Sequence, residues 1–288
     1  MINVLKYDGR KQPFDKNKIY NTCIRMRATP QEASSVADKV AAKVYEGIPT
    51  KKILQLTFTF LRQHRPEIKH RIDLREAISL MRSKPDFERF IQLLLKAEGY
   101  KVEANQIVQG SCVDHEIDAV ARKETRKGTE KETEKGNEVV YVEVKHHIQS
   151  HTYTGVGVFL EARATFEDIV EGFKQKKNNC NFTRVLVITN TKLSEHAIRY
   201  ADCRNISHMG WRDPPERGLE EIVEQHDFYP VTLLRGVDRN IVDRLGDAGI
   251  VLLKQLADED LYKLSRETRI PRNVLQDIVN NANEIINR

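Results

Sequence analysis

The stretch "VVYVEVKHH", residues 139–147, separates into two sets of side chains by alternate positions. Its central even positions are all valine, and the odd positions between them are Tyr141, Glu143 and Lys145. This alternation is the period of a β-strand, whose successive side chains point to opposite faces. The valine face predicts a packed core. The other face allows two interpretations, either the wet side of an edge strand or a carboxylate and an ammonium held together for chemistry.

Length and composition restrict the class of protein. A chain of 288 residues suits two or three domains, and 40% hydrophobic with 31% charged residues is typical of a soluble globular protein. There is no apolar stretch near the roughly 18 residues of a membrane span, and the N-terminus lacks a signal-peptide core, so we expect a cytoplasmic protein without a membrane partner. The four cysteines form no Cys-x-x-Cys pair, which argues against a zinc knuckle or a disulfide framework.

The charge is distributed unevenly along the chain. Residues 1–84 carry 18 Lys and Arg against 8 Asp and Glu, a net +10. Residues 85–230 carry 20 against 25, and the remainder balances at 9 against 9. The basic N-terminal segment predicts a polyanionic partner, either a nucleic acid or a nucleotide phosphate chain. The acidic middle segment is unusual for a DNA-binding surface unless a metal engages some of its carboxylates.

Element patterns divide the chain into three predicted domains of an α/β multidomain protein. Residues 1–85 begin with two short strands around Asp8-Gly9, followed by helices, one of them with Thr50 as N-cap. Residues 86–230 contain an amphipathic helix, strands and further helices, which indicates an α/β core with a mixed sheet. Their stretch 123–138, five basic and five acidic residues without an apolar one, is predicted to be a solvated hairpin tip. Residues 231–288 are predicted to be all helical.

A second carboxylate is predicted beside Glu143. Asp118 lies in "HEIDAVA", and antiparallel pairing across the tip brings it opposite Glu143, with the Cβ atoms about 5 Å apart. Two such carboxylates repel unless one is protonated or a cation lies between them, and oxygen ligands suit Mg²⁺ or Mn²⁺. Lys145 on the same face can stabilise charge on a phosphate, and Glu88 in the first turns of the preceding helix can reach the same ion.

The motifs "FERFIQLLLKAEGYKV", "EIDAVA" and "VYVEVKHH" together resemble the PD-(D/E)xK nucleases, specifically the Mrr-like branch of restriction endonucleases. The resemblance covers about residues 86–230. It implies double-stranded DNA as substrate, Glu88, Asp118, Glu143 and Lys145 as catalytic residues, and the three carboxylates as metal ligands. The 24 residues between Asp118 and Glu143 exceed the usual spacing because of the charged tip.

The N-terminal segment resembles the ATP-cone, the allosteric nucleotide-binding domain of ribonucleotide reductases, in "VLKYDGRKQPFDKNKI" and "GIPTKKI". The resemblance implies ATP or dATP as ligand, contacted at Val4, Lys6, Lys18 and Thr50. The sequence departs from the motif at Tyr7 and Gln12, where a basic residue and a glutamate are usual. The alternative is a basic helical domain that binds DNA directly.

The C-terminal segment resembles helix-hairpin-helix modules, which hold a DNA phosphate through backbone amides of a glycine turn. "LRGVDRNIVDRLGDAGI" matches with Gly236 and Gly249, whereas Asp238 replaces the second glycine of the turn. DNA binding and a protein-contact or dimerisation role both remain open for this segment.

Taken together, the sequence predicts a metal-dependent DNA endonuclease regulated by ATP or dATP, and a homo-oligomer. The alternative is a nucleotide-sensing DNA-binding regulator with little cleavage of its own. The complete set Glu88, Asp118, Glu143 and Lys145 favours the nuclease, because a protein that does not cleave needs no such set.

Overall fold

The computed structural model describes residues 2–7, 9–26, 28–65, 72–127 and 134–286. They form two compact units. The first comprises Met1–Ile72 with Leu234–Gly236 and Asn280–Arg288, and the second comprises Asp73–Leu233 with Val237–Val279. The three-domain division stays a prediction. The second unit includes residues 73–85 together with the central sheet. One reason is that the Thr232 hydroxyl donates to the Ala77 carbonyl at 2.7 Å within the second unit.

The first unit is a small sheet covered by helices. Its elements are β1 (Asn3–Leu5), β2 (Lys11–Pro13), α1 (Lys16–Arg25), α2 (Pro30–Ala41), β3 (Ile48–Pro49) and α3 (Thr50–Leu61). Strand β1 pairs antiparallel with β2 and parallel with β3, which confirms the predicted hairpin, although Asp8 in its turn lies outside the described residues. Thr29 and Glu32 form a capping box at the start of α2. Thr50 is the first residue of α3 rather than its N-cap, a position taken by Pro49.

The second unit is built on a five-stranded mixed sheet in the order β10-β8-β6-β5-β4. Its first part contains α4 (Leu74–Ser79), a short π-helix (Ser83–Phe87), α5 (Glu88–Ala97), β4 (Lys101–Gln109), β5 (Asp114–Lys127), β6 (Glu134–Lys145), β7 (Tyr153–Thr154) and α6 (Val156–Lys174). Next come β8 (Arg184–Thr189), β9 (Lys192–Leu193), α7 (Glu195–Arg204), β10 (Ser207–Met209) and α8 (Leu219–His226). Strands β4, β5 and β6 are antiparallel, whereas β6, β8 and β10 are parallel.

The sheet is buried on both faces around the opening stretch. Tyr141 packs with residues of α6 and α7 in one cluster, while its neighbours Val140 and Val142, which point the other way, are also fully buried. Helix α5 contacts β4 and β5. Its predicted apolar stripe is buried throughout, at Phe87, Phe90, Ile91, Leu94 and Leu95. The centre of the predicted charged tip, residues 128–133, lies outside the described residues.

The chain ends in a 3₁₀ turn (Val231–Leu233) and helices α9 (Arg239–Asp247), α10 (Leu253–Asp258), α11 (Leu261–Thr268) and α12 (Arg272–Ile286). Helix α9 is joined to the sheet region through Arg82, which donates twice to the buried carboxylate of Asp86 and also bridges to Asp247 at 2.8 Å. Arg89 donates to the Gly246 carbonyl at 3.0 Å. A Cβ at Gly246 would come within 2.5 Å of Asp86 Oδ1, so this approach of α9 requires glycine.

Candidate active site

The predicted carboxylates meet where β5 and β6 leave their shared ladder. The last ladder pair on this side is Ala119 with Val142, so the next step along both strands brings Asp118 opposite Glu143, as the alternation predicts. Glu88 opens α5, and its side chain is 5% exposed beside Asp118. The charge of Asp118 acts on both glutamates. The structure therefore gathers three sequence-predicted acidic residues at one end of the sheet.

A lysine that the sequence did not single out lies among these carboxylates. The Lys84 ammonium is 3.2 Å from Glu88 Oε1 and 3.6 Å from Asp118 Oδ1. It also lies 3.1 Å from Glu116 Oε1, a fourth carboxylate absent from the predicted set. These neighbours raise the pKa of Lys84, first through the hydrogen bond to Glu116, so Lys84 is held as a cation. Oxygens of three acidic side chains thus converge on one positive charge.

Each predicted metal ligand has one oxygen held by an uncharged donor. The Val144 backbone N–H donates to Asp118 Oδ2 at 2.7 Å, and the Tyr141 hydroxyl donates to Glu143 Oε2 at 2.7 Å. The third donor is the Asn105 amide. Both neighbours of this amide are acceptors, so its nitrogen must face them, and it then donates to Glu88 Oε2 at 3.2 Å. Such donors fix the direction in which the other oxygen of a carboxylate points.

Burial shifts the titration of the two glutamates in the same direction. Desolvation raises the pKa of Glu143 to about 7, opposed by the Tyr141 hydrogen bond and reinforced by the charge of Asp118. Desolvation followed by the Asp118 charge also raises the pKa of Glu88, and Lys84 partly offsets this. Both carboxylates are therefore costly to ionise without a nearby cation.

The raised pKa of Glu143 predicts a pH-dependent stability of the metal-free protein. Because the folded state holds this proton more tightly than the unfolded chain, the contribution is fully present below about pH 4 and is lost as the pH rises to about 7. A Glu143→Gln protein does not lose this stability as the pH rises, because glutamine does not titrate. In EDTA, its free energy of unfolding should therefore gain about 3 kcal/mol on the parent between about pH 4 and pH 8, measured by urea titration. Parallel pH curves for the two proteins would show that Glu143 ionises normally.

The fit of these side chains to a divalent cation depends on which oxygens share a direction. Among the described residues, no group of three or more His, Cys, Asp and Glu side chains is placed to hold a metal ion directly. However, Glu88 Oε1 and Asp118 Oδ1 already face one positive charge, the Lys84 ammonium, and hard oxygen donors are the ligands that Mg²⁺ and Mn²⁺ prefer. These two oxygens are therefore the atoms of the described residues whose chemistry and placement suit such an ion.

This geometry predicts that Lys84 competes with a divalent metal. Removing its charge in Lys84→Met should strengthen Mn²⁺ binding by up to about fivefold, because ion pairs of a half-exposed lysine contribute at most about 1 kcal/mol. Titration calorimetry measures the affinity, with Lys101→Met, at an exposed position of β4, as the matched control. Weaker Mn²⁺ binding by Lys84→Met would mean that the ammonium supports the site instead.

Lys145, the last predicted catalytic residue, is the final residue of β6 and is exposed. It lies opposite Thr189 of β8 in the parallel ladder. Its positive charge acts on Glu143 and lowers the pKa of that carboxyl, although less than burial raises it. The Lys145 side chain is therefore accessible at the same end of the sheet as the carboxylates.

The four predicted nucleotide contacts lie around one cavity of the first unit. Val4, Lys6, Lys18 and Thr50 all line a cavity of about 200 Å³. Apolar side chains from α1 and α3, such as Ile19 and Leu54, provide part of its wall. Since binding sites for drug-sized ligands measure about 300–1,000 Å³, this cavity suits one part of a nucleotide rather than all of it.

The predicted DNA-binding glycines differ in their surroundings. Gly236 and Gly249 both have the positive φ of a glycine turn, at 78° and 87°. Gly236 is exposed, whereas a Cβ at Gly249 would lie 3.3 Å from the Arg89 guanidinium. Asp238, which replaces the motif's second glycine, caps α9 by accepting from the Asn240 N–H at 2.8 Å. The capping role explains the aspartate at this position, and DNA binding by this segment stays a prediction.

Family models match three consecutive parts of the chain. The ATP cone domain matches residues 2–82, the restriction endonuclease domain residues 80–209, and the AF1548-like C-terminal domain residues 229–286. The first two confirm the resemblances found in the sequence and support a nuclease with a nucleotide-binding domain. In the part of the chain that the structure describes, no helix is long and apolar enough to cross a membrane.

Similar proteins come from one curated sequence and two solved structures. An uncharacterised protein of Archaeoglobus fulgidus is 32% identical over 193 residues, covering 67% of this chain and 98% of its own. The crystal structure of AF1548, a protein of unknown function, shows 32% identity and a TM-score of 0.56, covering 69% of this chain and 96% of that one. MspJI restriction endonuclease, solved with a 27-mer oligonucleotide, shows 14% identity and a TM-score of 0.29, over 78% of this chain and 38% of that one. The chain therefore belongs to the family of the Archaeoglobus fulgidus protein, and it joins an ATP-cone domain to a restriction-endonuclease domain and an AF1548-like C-terminal domain.

Proposed function

We propose that the protein is a metal-dependent endonuclease that hydrolyses phosphodiester bonds of double-stranded DNA and is regulated by ATP or dATP. The observation that carries the proposal is the convergence of Glu88 Oε1 and Asp118 Oδ1 on one cation, next to Glu143 and Lys145. An ion pair that only stabilises the fold needs no more than one carboxylate for each ammonium. Here three surround Lys84, inside a domain that matches restriction endonucleases.

The proposed roles follow from what each side chain can reach. Asp118, Glu143 and Glu88 would hold Mg²⁺ or Mn²⁺. Such an ion, when bound, lowers the pKa of a water and neutralises charge on a phosphate. Tyr141 orients Glu143 through its hydroxyl, and the Val144 N–H orients Asp118. Lys145, exposed beside them, can pair with a phosphate oxygen and stabilise its charge in the transition state.

Support for nucleotide regulation comes from the cavity of the first unit. It combines apolar walls, which suit a base or sugar, with Lys6 and Lys18, which suit phosphates. Thr50 adds a hydroxyl at the start of α3, where Pro49 provides no side-chain cap for the free backbone N–H groups. A bound nucleotide can change cleavage only if it binds two states of the protein unequally.

The test of the proposal is plasmid cleavage by the purified full chain. Supercoiled plasmid should be nicked or linearised with Mg²⁺ or Mn²⁺ and remain intact in EDTA. The rate should change when ATP or dATP is added. Plasmid that stays intact with either metal, with and without nucleotide, would leave the DNA-binding regulator as the better interpretation.

A further inference from the structure

Asn105 has an unusual backbone conformation for its place in the fold. Its φ is +46°, in the left-handed region that costs free energy for residues with a Cβ and that asparagine tolerates best after glycine. Four other non-glycine residues in the described parts of the chain have a positive φ, and each lies at or just after the end of a helix: Lys176, Asn205, Asp227 and Arg269. Asn105 instead lies inside a strand, β4. Strain of this kind inside a regular element often marks a functional position.

Asn105 lies opposite Asp118 in the pairing of β4 with β5. Strands β4 and β5 pair regularly on either side, with Ala104 opposite Ala119 and Gln106 opposite Ile117. The ladder is interrupted between these pairs, where Asn105 would pair with Asp118. There the side-chain nitrogen of Asn105 donates to the Asp118 carbonyl at 3.3 Å and to Glu88 Oε2 at 3.2 Å. In its left-handed conformation, Asn105 therefore lacks the backbone pairing with Asp118, and its side-chain amide instead contacts Glu88 and the Asp118 carbonyl.

The contact determines where the Glu88 carboxylate points. The terminal torsion of a glutamate is broad, so a carboxylate without a fixed partner turns readily. With Oε2 held by Asn105, Oε1 faces the same point as Asp118 Oδ1, where the Lys84 ammonium lies. One amide contacts both Glu88 and the backbone of Asp118, so it ties α5 to β5 at the site.

We propose that Asn105 is a positioning residue that directs Glu88 and Asp118 toward a shared divalent cation. This inference rests on the proposed function, since it assigns a role within the same site. Residues that hydrogen-bond a metal ligand in this way typically contribute about 10- to 100-fold to metal affinity or activity.

The experiment compares two Asn→Gly substitutions in the full chain. Glycine accepts a positive φ without strain, so Asn105→Gly keeps the backbone and removes only the amide. Asn205→Gly is the matched control, because Asn205 has a φ of +53° and ends α7. Mn²⁺ binding is measured by calorimetry on metal-stripped protein, the site being identified by the binding lost in Glu143→Gln. Thermal unfolding is recorded in parallel.

Asn105→Gly should bind Mn²⁺ at least about tenfold more weakly than the parent, with an unchanged or higher melting temperature, while Asn205→Gly binds within about twofold. Parental affinity in a folded Asn105→Gly protein would overturn the inference, as would its failure to fold, which would assign Asn105 to the fold alone. A parent that binds Mn²⁺ without cutting DNA, with weaker binding in Asn105→Gly, would end the nuclease proposal and keep the role of Asn105. A parent that binds no Mn²⁺ would overturn both.

Discussion

A Glu143→Gln protein is expected to lose cleavage of plasmid DNA by roughly a thousandfold, since several kcal/mol of charge stabilisation depend on the bound cation. The substitution preserves the shape of the side chain and an oxygen that can accept from the Tyr141 hydroxyl. It removes only the charge that a cation needs. DNA binding in EDTA should change little, because the lost group is a metal ligand rather than a contact to the phosphate backbone. Cleavage rates and gel-shift affinities measured on the same preparations test both expectations.

The control for this substitution is Glu103→Gln. Glu103 lies on β4 of the same sheet, and its side chain is 54% exposed where it pairs with Arg122, so its removal should leave cleavage unchanged. Lys145→Met should also abolish cleavage, yet retain Mn²⁺ binding, because an ammonium is not a ligand. Parental cleavage by Glu143→Gln would place the chemistry elsewhere in the protein.

The second large effect is expected in the nucleotide cavity. In a Lys6→Ala, Lys18→Ala protein, each lost charge-assisted contact should cost about 1.5–3 kcal/mol, or about ten- to a hundredfold in ATP affinity. Calorimetry should therefore detect no ATP binding by the double variant at concentrations that saturate the parent. Basal cleavage should persist, because the carboxylates belong to the other compact unit. Its rate should no longer respond to ATP.

A Lys39→Ala, Lys43→Ala protein is the matched control for loss of charge. Both lysines are exposed residues of the first unit, and neither lines the cavity. If the basic N-terminal segment instead binds DNA directly, calorimetry should detect no ATP binding by the parent. Both double variants should then bind DNA more weakly and with less salt dependence. That pattern would end the nucleotide-sensor interpretation.

Local patterns in the sequence were sufficient to predict the sheet and one end of the site. The alternation around Glu143 predicted strand β6, and an apolar stripe predicted a buried helix with Glu88 in its first turns, which the structure begins at Glu88. Antiparallel pairing across the charged stretch then fixed Asp118 opposite Glu143, since a two-residue period allows few registers. These features depend on neighbours along the chain or across one hairpin, and such relations are visible in a sequence.

Three contributors to the site could not be found in this way. Lys84 precedes a proline, Glu116 occupies an ordinary strand position, and Asn105 is one of several exposed polar residues of the edge strand β4. No periodicity sets them apart, because their roles arise only when α5, β4 and β5 come together. The division into two compact units depends on relations of the same kind. The contacts of Arg82 with Asp247 join residues far apart in the chain.

The close approach at Gly246 changes how a mutational map of this protein should be read. In a screen for loss of cleavage, one would expect damaging substitutions near Glu143 and tolerated substitutions in the last four helices. Yet any side chain at Gly246 must displace Asp86 and Arg82, which lie two and six residues before Glu88, the first residue of α5. A substitution there would lower activity because displaced packing moves the carboxylates, and not because a DNA contact is lost. The geometry of the candidate site therefore depends on packing between two segments that the family models match as separate domains.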